Sequence, residues 1–376
     1  MVSKVLIIIP SLAGGGTERA LLSMLRDLNE KYRDRLIMDL FVLSKGGVLD
    51  NEVNTLNLLR KIKYITTNKI SFKLLSFCLE FEFFSKILAS FIIREKYNIG
   101  VAYQESKWSK LIAYSTNISR KVTWFHSVID SNPGFNKLIS NNSKLIKYVK
   151  KHKNFSIRVF VSHTSKNSFE KLTNLRVRNI VVYNRIDKEI IEHSENKINK
   201  VSCVKSGFKI VMIGNLLPVK NYVFALEVFK VLKLNSINFE VGILGSGPEE
   251  SIIRKYINDS DLANEVKMYG YVENVYPYLI ESDIYFTTSI SEARPTALIE
   301  ALIFNLPYIA PNIPAYIEMK ELYGGGSLFK SNNVNDCSKV LATILTNLES
   351  RVFLTNEIRC IDWNKVGSNY TNIFDL

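Results

Sequence analysis

The sequence predicts an α/β protein built from two doubly wound parallel sheets with helices on both faces. Its 376 residues are about twice the length of an ordinary domain, which indicates two domains. Short runs that are apolar on both faces alternate with helical patterns, as parallel strands and their crossover helices do. A polar, weakly patterned stretch over residues 187–207 separates two series of such units and is the predicted linker.

The predicted strands are short apolar runs rich in β-branched and aromatic residues. In the first half they are Val5–Ile9, Leu36–Leu43, Ile99–Tyr103, Lys121–Phe125, Val159–Val161 and Ile180–Tyr183. In the second half they are Lys209–Ile213, Phe239–Leu244, Val266–Tyr269, Ile284–Thr287 and Tyr308–Ala310. We therefore expect an N-terminal Rossmann-like domain over residues 1–186, a C-terminal one over 187–357, and a segment over 358–376 that returns to the first domain.

Charge is divided unevenly between the two halves of the chain, whose net charge is +13. Residues 1–200 hold 34 Lys and Arg against 17 Asp and Glu, whereas residues 201–376 hold 15 against 19. A first half at +17 fits a nucleic acid, an anionic membrane surface or a phosphate-rich substrate. Nucleic acid is disfavoured because no helix-turn-helix, zinc-binding or RNA-binding aromatic signature accompanies the charge. A hydrophobic content of 47% excludes a largely disordered chain.

The cysteines and the apolar segments predict a cytoplasmic protein with no membrane span. Four widely spaced cysteines favour free thiols over a disulfide framework or a zinc site, and they are Cys78, Cys203, Cys337 and Cys360. The apolar run Val5–Ile9 is shorter than the core of a secretory signal and ends at Pro10. The longest apolar candidate, Ile70–Ile93, is interrupted by charged residues, so it is not expected to cross a bilayer.

Two segments of the first half leave alternatives open. Ile70–Ile93 contains six Phe residues and forms either an amphipathic helix packed in the first domain or a helix in a membrane interface. The segment Lys137–Arg158 holds seven Lys and Arg and no acid, which is typical of a solvated basic loop or of a contact with anionic lipid.

A glycine-rich turn follows the first predicted strand. Gly14–Arg19 precedes a helix with an apolar face, and glycines let a backbone approach an anion closely while Thr17 can cap the helix. A nicotinamide-dinucleotide fold is disfavoured, because Arg19 stands where the third glycine is needed. The second strand also ends in Leu43–Lys45, without the acid that would hold a ribose.

The segment Ser289–Glu318 carries the clearest site. Pro295 fits the first turn of a helix, and the backbone N–H groups that follow can hold an anion. Glu292 lies just before this helix and Glu300 inside it, eight positions on. A carboxylate accepts hydrogen bonds from two sugar hydroxyls at once, so both are candidates for binding a ribose or hexose. The apolar neighbours of Glu300 argue against a solvated surface position.

The ordered set of motifs resembles the retaining nucleotide-sugar glycosyltransferases of family 4 (glycosyltransferase group 1), which have the GT-B fold of two Rossmann-like domains facing each other across a cleft. Glu292 and Glu300 match the family's E-x7-E motif. Four further segments resemble family loops: Met212–Asn221 the loop with the diphosphate Lys, Gly245–Glu249 the G-x-G-P-E turn, Gly270–Val272 the base-reading loop, and Val182–Asp187 the end of the first domain. Gly14–Arg19 resembles the acceptor-side glycine loop. The resemblance covers nearly the whole chain.

The resemblance implies roles for these positions. Lys220 would neutralise the donor diphosphate, Glu300 would bind the ribose and Glu292 the transferred sugar. His126, after a strand end, would touch the donor sugar and act with Glu292 and Lys220 in catalysis. Backbone groups would complete the donor site, at Gly15, Gly16, Gly214, Gly245, Val272, Pro295, Thr296 and Ala297. No metal is implied, and Asp259–Asp261 is expected to end a surface helix rather than to bind one.

Four departures from the family pattern bear on donor binding. Asn215 replaces the Arg beside the glycine, so one of the two usual diphosphate cations is absent. Arg294, where the family commonly has an apolar residue, is a candidate to compensate. Ala293 and Asn305 stand where the family has glycines.

The resemblance implies transfer of a sugar, with retention, from a nucleotide diphosphate donor, taken here as a UDP-hexose or UDP-N-acetylhexosamine. The expected acceptor is a lipid-linked or lipopolysaccharide glycan of surface-polysaccharide biosynthesis, reached at the cytoplasmic face of an anionic membrane. No cofactor beyond the donor and no nucleic acid are expected. A catalytically weak assembly scaffold and a GT-B-like sugar-nucleotide epimerase remain as alternatives.

Overall fold

The computed structural model describes residues 2–186, 190, 207–347, 352, 354–356, 358 and 370–374. By their contacts, these residues group into two compact units. Unit 1 falls within Met1–Asp130, Gly134–Asp187 and Val366–Leu376, and unit 2 within Ser131–Pro133 and Lys188–Lys365. The linker predicted over 187–207 lies outside the described residues except at positions 190 and 207, and most of the predicted segment 358–376 does too.

Unit 1 is built on a parallel sheet of seven strands in the order β3-β2-β1-β4-β5-β6-β7. The strands are β1 (Ser3–Ile9), β2 (Leu36–Ser44), β3 (Leu59–Thr66), β4 (Tyr97–Ala102), β5 (Ile118–Phe125), β6 (Ile157–Phe160) and β7 (Asn179–Val181). The strand order reverses between β1 and β4, which pair in parallel. In such a sheet, ligands bind beyond the carboxyl ends of the strands near that reversal. The predicted doubly wound α/β fold is confirmed.

The edge strand β3 was not predicted from the sequence. Its residues Arg60, Lys61 and Lys63 break the apolar pattern, because β3 pairs only with β2 and most of its side chains are partly or fully exposed. Charged edge strands are common since they discourage pairing with another chain.

Helices cover this sheet, and the first of them corrects a prediction. They are α1 (Gly16–Tyr32), α2 (Asp50–Val53), α3 (Lys69–Cys78), α4 (Glu82–Ile92), α5 (Ser109–Tyr114), α6 (Asn136–Ile139), α7 (Asn142–Lys153) and α8 (His163–Thr173). Thr17 does not cap α1, because the helix already begins at Gly16 with Gly15 as its N-cap. The Glu18 carboxylate instead accepts from the backbone N–H of Gly15, as in half of a capping box.

Two sequence segments fold differently from their simplest interpretations. Ile70–Ile93 forms the two helices α3 and α4, with a break at Leu79–Phe81, rather than one helix. The stretch Lys137–Arg158 is mostly helical, in α6 and α7, so the loop interpretation is wrong. Lys151 of α7 is buried, and its ammonium group donates to Ser109 Oγ at 2.9 Å.

Unit 2 is built on a parallel sheet of six strands in the order β10-β9-β8-β11-β12-β13. The strands are β8 (Phe208–Ile213), β9 (Phe239–Leu244), β10 (Val266–Gly270), β11 (Ile284–Phe286), β12 (Tyr308–Pro311) and β13 (Gly326–Phe329). The helices are α9 (Tyr222–Leu234), α10 (Glu250–Asp259), α11 (Tyr276–Glu281), α12 (Thr296–Ile303), α13 (Pro314–Tyr323) and α14 (Val334–Thr346). Strand β13 was not predicted, because only four residues form it and one is glycine.

The core of unit 2 is aromatic. Phe229 of α9 packs against Phe239 and Phe286 from two strands, with ring centroids 5.7 and 5.5 Å away. All three rings are buried. This packing holds α9, which follows the candidate donor loop, against the sheet.

A short helix near the carboxyl terminus, α15 (Thr371–Phe374), belongs to unit 1 by its contacts. The Tyr370 ring that precedes it lies 6.3 Å from the Trp124 ring of β5. Among the described residues, no helix combines the length and the apolar character needed to cross a bilayer. Cys78 and Cys337 carry free thiols, while Cys203 and Cys360 lie outside the described residues.

Candidate functional site

The glycine loops of unit 2 lie side by side at the carboxyl edge of its sheet. The N–H of Gly214, after β8, donates to Leu244 O at 3.0 Å, and the N–H of Gly245, after β9, donates to Gly270 O at 2.7 Å. A Cβ on Gly245 would stand 2.0 Å from Gly214 O, closer than real Cβ atoms come. The backbones of these loops are therefore packed directly against each other, as close approach to a ligand requires.

The turn that carries Lys220 is fixed to the loop after β11. Pro218–Lys220 form one turn of 3₁₀ helix, and Asn221 follows in the left-handed region with φ of 55°. The Thr288 hydroxyl donates to the carbonyl oxygens of Lys220 and Asn221 at 2.9 and 3.0 Å. The N–H of Ile290 also donates to Val219 O at 2.9 Å. Two stretches about seventy residues apart in sequence thus form one rigid edge.

Lys220 and Glu292 meet at this edge. The Lys220 ammonium group donates to Glu292 Oε1 in a close ion pair. The side chains keep 26% and 14% of their exposure, so the pair is shielded but open to a ligand. An ion pair with this exposure can exchange one carboxylate partner for a more highly charged phosphate.

Helix α12 begins at Thr296, shortly after Glu292 in the chain. Pro295 is the N-cap with φ of −74° and ψ of 98°, so it precedes the helix instead of standing in its first turn. No side chain of the described residues caps this helix, which leaves its first N–H groups, from Thr296 and Ala297 onward, available to an anion. Five residues of α12 are buried, which fits the packed helix that the sequence predicts around the half-buried Glu300.

Both predicted carboxylates act on one buried phenol. The pKa of Tyr285 is raised mainly by burial, and also by the negative charges of Glu292 and Glu300. Its hydroxyl lies 3.5 Å from Ile213 O, at the end of β8. The charges of both acids of the predicted motif therefore act on the same buried side chain.

Three other predicted donor residues have distinct environments. Asn215 is exposed in the loop after β8, and Val272 is half-buried directly beyond β10. Arg294 is 7% exposed, and its guanidinium donates to the Tyr323 hydroxyl at 2.6 Å and lies over the Tyr323 ring. Arg294 thus joins the loop before α12 to the end of α13.

In unit 1, the glycine loop ends where α1 begins. A Cβ on Gly15 would meet the Glu18 carboxylate at 2.7 Å, so the loop and that side chain are in contact. Burial raises the pKa of Glu18, against the opposing effect of its backbone hydrogen bonds. Gly16 is the first helical residue.

His126 follows β5 directly, as predicted. Its Nε2 is covered and has no hydrogen-bond partner among the residues that the structure describes. Burial lowers the pKa of the imidazole from 6.5 to about 3, outweighing a hydrogen bond to the backbone of Tyr103. The ring packs against the Tyr103 ring at 4.9 Å. His126 is therefore neutral at physiological pH and presents an unsatisfied nitrogen.

Comparison with known proteins identifies unit 2. Residues 193–359 match the family described as glycosyl transferases group 1. The chain carries a glycosyltransferase group 1 domain. Lys220, Glu292 and Glu300 and the glycine loops after β8, β9 and β10 all lie inside the matched range.

The similarity to relatives extends over the whole chain. A capsular polysaccharide biosynthesis glycosyltransferase, CapH of Staphylococcus aureus, is 24% identical over 99% of this chain and 95% of that protein. The Anabaena protein HepE, solved with UDP and glucose, is similar with a TM-score of 0.72 at 15% identity, over 99% of this chain and 97% of HepE. TarM of S. aureus gives 0.72 at 12% identity, over 100% and 98%. These likenesses show the predicted GT-B fold.

Several residues around the group 1 domain's edge escaped the sequence analysis. Tyr222 donates to Gly214 O at 3.0 Å, and its pKa is raised by burial and by Glu292. The buried Tyr316 hydroxyl lies 3.0 Å from Thr287 Oγ1, beside Ser289. The charge of Glu292 raises the pKa of both phenols, in addition to the larger effect of burial. Buried tyrosines carry no motif spacing, so no sequence signal marked them.

Glu105 in unit 1 also escaped the sequence analysis. This buried carboxylate, 6% exposed, accepts from the backbone N–H of His126 at 3.0 Å and from the side chain and backbone of Ser127. Burial raises its pKa, and these hydrogen bonds oppose the shift. Its position beyond β4, neighbouring β5 in the sheet, is a signal that could have linked it to His126.

The arrangement in the group 1 domain suits a ligand with hydroxyls and phosphates. A cation, a helix N-terminus and two carboxylates converge at backbone loops that leave room for close contact. Within the described ranges, no three His, Cys, Asp or Glu side chains are grouped so as to hold a metal ion.

Proposed function

We propose that this protein is a retaining, metal-independent glycosyltransferase of surface-polysaccharide biosynthesis. Its donor is a UDP-hexose or UDP-N-acetylhexosamine, and its acceptor is a hydroxyl of a lipid-linked or lipopolysaccharide glycan. The observation that carries the proposal is the Lys220–Glu292 ion pair beside the uncapped α12 N-terminus. A cation and aligned backbone N–H groups stabilise a diphosphate leaving group, while carboxylates hold sugar hydroxyls.

The relatives support the proposed substrate class. CapH is described as a capsular polysaccharide biosynthesis enzyme, and HepE was solved with UDP and glucose. A UDP-linked donor is the simplest donor consistent with both. We propose that the acceptor lies at a cytoplasmic, anionic membrane face, and the positive charge of the first half of the chain supports this.

Each proposed residue has one task. Lys220 leaves Glu292 for the donor diphosphate, and Glu292 then accepts from hydroxyls of the transferred sugar. Glu300 holds the ribose. His126 contacts the transferred sugar through its neutral imidazole. The backbone groups of Gly214, Gly245 and Pro295–Ala297 line the phosphates, with Gly15 and Gly16 as further contacts from the glycine loop of unit 1.

In the proposed chemistry, the bond between the anomeric carbon and the diphosphate breaks, and the electron pair leaves on the phosphate oxygen. The acceptor oxygen attacks the same face of the sugar, and its proton passes to the departing diphosphate. Stabilising the leaving group is the main catalytic task, so preorganised positive groups matter more than a strong base.

A donor screen tests this function. Purified protein is heated with UDP, GDP and a panel of their sugars, and stabilisation by UDP-sugars over GDP-sugars is the expected result. The stabilising donor is then given to membranes that contain lipid-linked glycans. Transfer with retained anomeric configuration, seen by NMR of the product and unchanged by EDTA, is expected.

Other outcomes separate the alternatives. Donor binding with neither transfer nor donor hydrolysis would favour a catalytically weak assembly scaffold. Conversion of the donor to its epimer without an acceptor would favour an epimerase. Either result would overturn the proposed transfer.

A further inference from the structure

The helices α3 and α4 carry an exposed apolar surface, which we call the Phe face. It consists of Ile70, Leu74, Phe77, Phe81, Phe83, Phe84, Ile87 and Phe91. These side chains keep between 46% and 81% of their exposure, and α3 buries none of its residues. Single exposed apolar residues are ordinary, but a contiguous patch marks an interaction surface.

The orientation of α4 is inverted relative to that of an ordinary surface helix. It turns Ser85 and Ala89 toward the core, with Ile92, and turns its phenylalanines toward solvent. The rings touch each other, with Phe81 lying 5.5 Å from Phe77 and 6.0 Å from Phe84. These contacts join Phe77, Phe81 and Phe84 into one exposed cluster of rings across the break between α3 and α4.

Positive charge surrounds the Phe face. The acids next to it are each paired with a lysine, Glu80 with Lys107 at 3.0 Å and Glu82 with Lys86 at 3.1 Å. Glu82 also lies 3.5 Å from Lys150 of α7, the helix whose segment has no acid. The surrounding surface thus keeps an excess of cations, which repels a second copy of the same face and attracts an anionic partner.

A groove of about 440 Å³ adjoins this surface between β3 and α4. Three cations line it, Lys61, Lys63 and Arg94, together with Glu95 and the apolar side chains Phe41, Ile65, Phe91 and Ile92 and the Tyr97 ring. Arg94 lies over the Phe91 ring at 4.6 Å. Partial burial and the charges of Lys61 and Arg94 lower the pKa of Lys63, as expected for like charges held together. The groove combines a phosphate-binding chemistry with apolar walls.

We propose that the Phe face docks on a bilayer containing anionic phospholipid, with a lipid phosphate held by Lys61, Lys63 and Arg94. The aromatic side chains enter the boundary between headgroups and acyl chains, and the lysines around them stay at the anionic surface. This inference names the surface for the membrane contact in the proposed function. The Phe face and its groove share no residue with the proposed donor site, so an experiment can contradict one proposal without contradicting the other.

Vesicle binding by the full chain tests the proposal. Sedimentation with vesicles of equal parts phosphatidylglycerol and phosphatidylcholine is compared with vesicles of phosphatidylcholine alone. We expect the protein to bind the anionic vesicles more strongly than the neutral ones. Added salt should weaken its binding to the anionic vesicles. The double variant Phe83→Ser with Phe91→Ser, at side chains that are 69% and 65% exposed, is expected to reduce partition at least about tenfold.

Matched variants separate the surface from general effects. Val177→Ser in unit 1 and Leu234→Ser in unit 2 remove apolar side chains that are 74% and 75% exposed, and they should bind like the wild type. Lys63→Gln with Arg94→Gln should lose the preference for phosphatidylglycerol, whereas exposed Lys171→Gln should keep it. Circular dichroism and melting temperature verify that the variants fold.

Three results would overturn the proposal. The first is an absence of vesicle binding by the wild type, and the second is equal binding by the wild type and the Phe83→Ser, Phe91→Ser variant. The third is a wild-type dimer, seen by analytical ultracentrifugation, that the Phe variants dissociate. Thermal stabilisation by UDP is measured in parallel on the wild type and the variants. If UDP stabilises none of them, the result contradicts the proposed donor site and not the membrane surface.

Discussion

The Lys220 ammonium group donates to the Glu292 carboxylate and so joins the turn after β8 to the loop after β11. The ion pair is not the only link between these two segments, because the Thr288 hydroxyl also donates to the backbone carbonyl oxygens of Lys220 and Asn221. The ion pair therefore sits on a fixed edge. Preorganised charge of this kind stabilises a developing leaving-group charge without further rearrangement.

Lys220→Ala is expected to reduce transfer by at least about 100-fold, because the group that neutralises the diphosphate is removed. Glu292→Gln should lower kcat by a similar factor while leaving UDP affinity nearly unchanged, since it is proposed to contact the sugar. Initial rates with a soluble acceptor analogue, and UDP titration by calorimetry, measure both.

The matched control for this ion pair is Lys209→Ala. Lys209 pairs with Glu281 at 3.6 Å in the same unit, but both side chains are well exposed. Exposed pairs contribute at most about 1 kcal/mol, so this variant should keep full activity and stability. Wild-type turnover in Lys220→Ala would contradict the site assignment.

Asn215→Arg is expected to strengthen donor binding. The side chain is exposed in the loop after β8, and the family resemblance places an Arg there. A guanidinium at this point adds a second cation to the diphosphate, which should raise UDP affinity about tenfold. Asn215→Gln lengthens the side chain without charge and should bind UDP as the wild type does. An unchanged or weaker Kd in the Arg variant, measured by calorimetry, would refute the proposed phosphate position.

Gly245→Ala should destabilise unit 2 and abolish donor binding. The new Cβ would stand 2.0 Å from Gly214 O, a backbone atom that cannot swing away, and Gly245 has φ of +144°. A cost of about 2–4 kcal/mol is expected in urea unfolding. Gly270→Ala is the control, since its φ is +72° but nothing lies within 4 Å. It should cost only about 1 kcal/mol, and equal losses would contradict the packing argument.

The buried parallel strands could be predicted because their residues are apolar on both faces, as in Val5–Ile9. The charged edge strand β3 could not, because exposure removes the apolar pattern that marks a strand. The strand β13 could not, because it has only four residues and one of them is glycine. The break at Leu79–Phe81 was missed because no Gly or Pro in this apolar segment marks the end of a helix.

Some residues of the candidate site could likewise be predicted from the sequence, and others could not. Glu292 and Glu300 are found by spacing, because one helix start fixes both. Glu105 contacts the backbone of His126, and Tyr222 donates to Gly214 O eight residues before it. Neither contact belongs to a motif with a fixed spacing, although the place of Glu105 beyond β4 could have linked it to His126. Family resemblance supplied the roles that spacing alone could not.

Glu105→Gln tests whether the buried carboxylate positions His126. The carboxylate now accepts hydrogen bonds from backbone N–H groups, and the amide would turn its own N–H groups toward some of these donors. This change shifts the loop that holds the imidazole. We expect kcat to fall about tenfold with the KM for donor little changed, as for a small displacement of a catalytic group. Glu170→Gln is the control, because Glu170 also binds a side chain of unit 1, that of Asn179. A change in KM alone would contradict a positioning role.

His152 should make the stability of unit 1 depend on pH. Both ring nitrogens are buried without a hydrogen-bond partner among the described residues, and burial holds the pKa well below 6.5. The unfolded chain therefore binds a proton that the folded chain does not, so stability is complete above pH 6.5 and is lost as pH falls below it. The loss therefore grows as the pH falls from 6.5 to 5.

His152→Phe removes that proton uptake while keeping an aromatic ring among Phe125, Tyr148, Phe155 and Phe169. The wild type should lose more stability than the variant between pH 8 and pH 5, by urea unfolding followed at each pH. The difference at pH 8, where histidine is neutral in both states, isolates the change in packing. Parallel pH profiles for the two proteins would show that His152 is protonated in the folded state, against its buried position.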